Sequence, residues 1–162
     1  MKEEMKAVKI GLFLVLLTLL FGIGMGIYFG VAEDSVKSYI SDGVIANPAV
    51  HDAKSNSKIW RYAQRSHFHA TGISAFSLGL VVLIALSSMK RNLKTIAAIL
   101  VGLGGFYPLA WFTMFLLAPS IGRDPAHEHI ITEVFTHIGV GGLLLGLFML
   151  CASLFLGMFN ED

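Results

Sequence analysis

Two short stretches gather most of the imidazoles in this chain, the side chains best suited to ligate a metal or move a proton near neutral pH. "RSHFHATG" (65–72) sets Arg65, His67 and His69 directly before an apolar run. "DPAHEHIITEVFTH" (124–137) sets His127, Glu128, His129, Glu133 and His137 before another. Five of the six histidines therefore stand at the heads of two hydrophobic segments. A neutral imidazole ligates haem iron, zinc, copper or non-haem iron, and beside a carboxylate it also relays protons.

Spacing gives the clusters a shape. If both stretches are helical, His129, Glu133 and His137 recur every four residues and form one slowly turning stripe. His67 and His69 diverge by about 200° and cannot both face one small centre. His137 lies about one turn inside its apolar run, and His69 begins the other at a comparable depth. Ionisable groups inside a membrane span are expensive and mark functional sites.

Three readings compete. In the first, His69 and His137 face each other across the bundle and hold a b-type haem, with Ala70, Gly72 and Gly139 leaving room for the porphyrin. Arg65 and Arg123 then pair with its propionates at the outer surface. In the second, His129, Glu133 and His137, with either His67 or His69 from the other stretch, supply a single zinc, copper or iron ion. In the third there is no cofactor: the histidines hydrogen-bond across helices, or Glu133 and His137 handle protons for a quinone or a transported solute. His51, outside both clusters, reads as a plain surface residue.

The elements that must carry these groups are written in the composition. Of 162 residues, 55% are hydrophobic and 14% charged, against about a quarter charged in soluble domains. The net charge of +1 gives no reason to expect nucleic acid. One cysteine, Cys151, excludes disulfides within the chain and a Cys-rich metal site. Four runs stay uncharged long enough to cross a bilayer: Ile10–Gly30, Ala70–Leu86, Ile96–Ala118 and Val134–Phe159. About 20 residues at about 1.5 Å each are needed, and unbroken apolar runs in lipid must be helices. The expected fold is an all-α integral membrane protein, one domain over 1–162, with transmembrane helices at about 10–30, 66–87, 95–118 and 126–159.

Local signals refine that plan. Gly22, Gly26 and Gly30 form a small-xxx-small ridge on the first run, suited to close helix contact. In loop one, Asp34 reads as a cap, Val36, Tyr39 and Ile40 as an apolar face and Gly43 as a stop, predicting a short amphipathic helix at the outer membrane surface. Trp60 and Tyr62 read as interfacial belt residues. Pro108 predicts a kink, because it cannot donate to the carbonyl of Gly104. Asp124 as cap and Pro125 at the first position start the last helix, which puts His127, Glu128 and His129 on it.

Lys90, Arg91 and Lys94 in the second loop, with Lys2, Lys6 and Lys9 at the amino terminus, predict that both termini and loop two are cytoplasmic. The histidines then face outward. In architecture the arrangement resembles small membrane cytochrome b subunits and quinol-reactive anchors, a likeness that implies electron transfer in quinone-linked respiration. The expectation is a multi-pass inner-membrane subunit with an outward histidine site binding haem b, beside other membrane subunits or further copies of itself. The alternatives are a cofactor-free subunit or assembly factor and a non-haem metal-binding protein.

Overall fold

The computed structural model describes residues 2–161, and every regular element among them is a helix. They are α1 (Lys2–Ala46), α2 (Ser55–Leu86), α3 (Arg91–Gly102), α4 (Phe106–Ile121), α5 (Arg123–His127) and α6 (Ile130–Leu156). Among the described residues, four stretches are long and apolar enough to span a bilayer: Glu3–Ala46, Ser55–Leu86, Arg91–Ile121 and Ile130–Leu156. This is an all-α, four-helix membrane bundle.

The third span is the central rod. Helices α1, α2 and α6 all pack against α3–α4, while α6 scarcely meets α2. Close approach depends on missing side chains. A Cβ on Gly22 would fall 2.9 Å from Thr71 N, and one on Gly26 would fall 2.7 Å from His67 Cε1. Two members of the glycine ridge therefore seat α2, while Gly30 faces open space. Along α6, Gly139, Gly142 and Gly146 are buried and lie against Tyr107, Leu100 with Leu103, and Ala97 with Val101. Apolar surface is scarce as a driving force inside lipid, so such van der Waals seams hold the helices together.

The third span is interrupted where expected. A 3-10 turn at Leu103–Gly105 separates α3 from α4, one turn before Pro108, whose ring leaves Gly104 without its usual donor. Ser66 Oγ donates to the Pro108 carbonyl at 3.0 Å and ties α2 to α4.

Loop one differs from the expectation in an instructive way. The helix predicted after Asp34 exists, but it continues α1 past a single non-helical residue, Ala32 (φ −129°, ψ 29°). Its apolar residues Val36 and Ile40 are buried with Ile59, Ala63, Phe115, Ala118 and Ala126. Its apolar face is thus satisfied by protein, and Tyr39 Oη donates to the Leu116 carbonyl at 2.7 Å. Trp60 and Tyr62 likewise turn inward, onto Phe29 (centroids 5.4 Å) and Trp111 (5.7 Å).

At the opposite end, the chain closes on itself. Lys90 N donates to Phe159 O and Glu161 N to Ser88 O, both at 2.9 Å, pairing the carboxyl-terminal tail with the α2–α3 turn. Arg91 meets Glu3 at 3.4 Å, and Lys94 pairs with Glu4. The start of α1, the second loop and the tail therefore share one end of the bundle. Both histidine clusters belong to the other half.

Candidate histidine site

Each histidine has its own environment, and the two clusters divide rather than merge. His67 is half-buried between α1 and α2. Its Nδ1 stands 2.8 Å from the Gly22 carbonyl, and its ring covers Gly26. A carbonyl only accepts, so Nδ1 carries the proton there. His67 serves the α1–α2 seam and faces away from the other candidates.

His69 stands on the α2–α4 seam. Its Nδ1 donates to the Arg65 carbonyl at 2.9 Å. Its ring lies against Tyr107 (5.0 Å between centroids) and Trp111 (5.8 Å). The lone pair of Nε2 is then free. Arg65 is exposed one turn outward, its guanidinium 4.6 Å over the Trp111 ring. Gly72 and Gly79, on the same side of α2 as His69, are exposed with open space where a Cβ would be. Trp111 Nε1 is buried without an acceptor among the described residues.

His137 repeats the local pattern of His69, with Nδ1 donating to the Glu133 carbonyl at 2.7 Å. Its depth also matches. Gly139, two residues on, presses against the backbone of Tyr107, and the His69 ring touches the ring of the same tyrosine. The orientation does not match. Gly139 must face α4, so His137 points about 200° round the helix, away from the bundle, and is exposed. Glu133, one turn earlier, is exposed as well.

This overturns the face-to-face arrangement of His69 and His137 within one chain. The glycine seam of α6 fixes which side is buried, and the ionisable stripe lies on the other. The metal set is not gathered either. No three His, Cys, Asp or Glu side chains come together among the described residues.

The expected single start of the last helix is also corrected. The short α5 ends at His127, and α6 begins at Ile130 with His129 as its cap (φ −65°, ψ 134°). His129 Nδ1 accepts from Ile131 N at 3.3 Å, so this ring presents its acceptor nitrogen to the backbone. Thr132 Oγ1 donates back to Ala126 O at 2.9 Å and closes the bend. His127 is exposed on α5, and Gly122 (φ 88°) takes the position before Arg123.

Arg123 is committed elsewhere. Its Nη2 lies 2.9 Å from Asp52 Oδ2, joining the loop before α2 to the first residue of α5. The Ser55 hydroxyl, then the Lys54 backbone N–H and Arg123, hold the Asp52 carboxyl below the usual carboxylate range. His51 is more than a surface residue. Its Nε2 stands 3.0 Å from the Pro119 carbonyl, beside Asn47 Nδ2 at 3.3 Å, while its Nδ1 is buried with no partner among the described residues.

Sequence reasoning passed over Tyr107 and Trp111, the aromatic pair that braces His69. They lie four residues apart on the third span, a stripe at helical spacing that stood beside the histidine question unasked. No protein-family model, curated protein or solved structure matches this chain.

Proposed function

We propose that this chain is a multi-pass membrane subunit that serves electron transfer, and that His69 would hold haem b. The observation that supports this is the setting of His69. Its Nδ1 proton is fixed on the Arg65 carbonyl, its ring is braced by Tyr107 and Trp111, and its Nε2 keeps a lone pair of fixed direction. Such outer partners orient a metal-binding imidazole and set its tautomer. Exposed Gly72 and Gly79 leave α2 flat below it, and Arg65 stands outward where a propionate would lie. When bound, haem b supplies one-electron exchange at its iron. A membrane quinone is the redox partner that suits this depth.

Detergent-purified protein, or its native complex, should then show the sharp visible bands of low-spin haem on reduction. His69→Ala should abolish them or convert them to a five-coordinate form, while His127→Ala and His137→Ala should leave them unchanged. A colourless preparation from haem-replete cells would defeat the cofactor. The cofactor-free subunit or assembly factor would then stand, a reading that His67 favours, since its polar ring is used to bind and pack against α1.

We also place the end that carries Lys90, Arg91 and Lys94 in the cytoplasm of a bacterial or archaeal cell, with the protein in the inner membrane and the histidines outside. Reporter fusions decide it. Alkaline phosphatase should be active when inserted in the loop at 47–54 and silent after the carboxyl terminus; the reverse pattern would invert the assignment.

A further inference from the structure

From the exposed stripe of α6 we infer that the chain pairs with a second copy of itself, Glu133 of each protomer meeting His137 of the other. The depth of His137 is the starting point. It lies level with Tyr107, and Tyr107 lies on the α4 segment that also packs Phe112 against Phe21 of the first span, with centroids 5.5 Å apart. A lipid-facing imidazole at that level, with a carboxyl one turn away, is costly unless another polar group covers it.

The stripe carries its own complement. Two copies in one membrane share an orientation, so a twofold axis along the membrane normal sets their α6 helices side by side and parallel. Such an interface is isologous: if Glu133 reaches His137 of the second copy, the reverse contact forms too. The offset between the two positions is about one turn, or ~6 Å. The His137 ring already leans toward the Glu133 turn, as its bond to that carbonyl shows. With Nδ1 donating to its own helix, Nε2 meets the Glu133 carboxyl through one shared proton. Whether written as carboxylic acid with imidazole or carboxylate with imidazolium, each pair is neutral overall. Lipid tolerates that; it does not tolerate either group alone.

The rest of the face permits the approach. Ile130, Leu144 and Phe148 are 66%, 59% and 62% exposed along the same side. Gly141, unlike Gly139, Gly142 and Gly146, presses on nothing among the described residues of the protomer. A glycine without a neighbour on this face lets a second helix come close.

The test uses single cysteines in a Cys151→Ala background, oxidised in native membranes. Leu144→Cys should give a disulfide-linked dimer, and Phe13→Cys, on the exposed side of α1, should not. Adding Glu133→Gln or His137→Ala should lower the linked fraction at least several-fold. The exchange Glu133→His with His137→Glu should restore it, because the contacts are reciprocal. Both side chains are exposed in the protomer, and equal yield of monodisperse protein checks that the variants fold. A protomer that stays monomeric, a cross-link only to a protein of different mass, or an exchange that fails to rescue would each overturn the pairing. Haem bands report on His69 separately, so loss of the dimer and loss of the cofactor are distinguishable outcomes.

Discussion

Gly139→Ala should detach α6 from the bundle, and Gly11→Ala should do the same to the amino-terminal half of α1. The added methyl at Gly139 would stand 2.4 Å from Tyr107 N and 2.9 Å from its Cα. At Gly11 it would stand 2.1 Å from the Ala98 carbonyl oxygen and 2.3 Å from its carbon. These neighbours are backbone and cannot swing aside, so the helices themselves must separate. Overpacking a tight core costs about 1–3 kcal/mol, and a clash with main chain belongs at the upper end. Gly24→Ala is the control, because nothing lies within 4 Å of its Cβ position and alanine is the better helix former. Thermal unfolding in detergent, followed by tryptophan fluorescence, should show lowered midpoints for the first two variants and an unchanged or raised one for Gly24→Ala. Equal midpoints for all three would mean that the glycine seams do not organise the bundle.

That prediction rests on the part of the fold that was most legible. Four spans could be read from length and composition because lipid allows so few ways to satisfy a backbone. The Gly22 and Gly26 ridge and the break near Pro108 were legible for the same reason: each is a local covalent fact with one structural answer. The candidate site was legible only in part. Helical spacing puts His69 and His137 at one level, and both stretches meet Tyr107 there, because position along the axis is a property of one helix. Facing is a property of two. His137 faces outward because Gly139, Gly142 and Gly146 claim the opposite side of α6 for α3–α4, and a seam of glycines carries no hydrophobic signal to announce it. His129 was misplaced by a similar competition. Asp124 and Pro125 make a sound helix start, but the helix they start is the five-residue α5, and the His129 ring caps the next one.

Lys94 was read as one positive charge in a cytoplasmic loop, and its burial sets up the second large effect. It lies on α3 with its side chain 7% exposed, held by the Glu4 carboxylate and donating to the Ala85 carbonyl at 3.1 Å. The ammonium is therefore dry, while the Glu4 side chain keeps 45% of its surface. The two partners should respond unequally to loss of the other. Lys94→Met keeps the apolar stem, removes the dry charge and leaves Glu4 to water, so the midpoint should change little. Lys94→Glu places a carboxylate beside another carboxylate and a carbonyl. An uncompensated buried charge of this kind costs about 3–5 kcal/mol. The exchange Glu4→Lys with Lys94→Glu restores opposite charges and should recover part of that loss, the more so because Lys at position 4 can reach water. Chemical or thermal denaturation in detergent would rank the three. If Lys94→Glu proved as stable as Lys94→Met, Lys94 would have to turn its charge to water in solution. The α1, α2 and α3 segments at this end of the bundle would then be held chiefly by the apolar cluster that includes Val8, Ala85, Ala97 and Ala98, with the Thr95 hydroxyl donating to the Ala7 carbonyl.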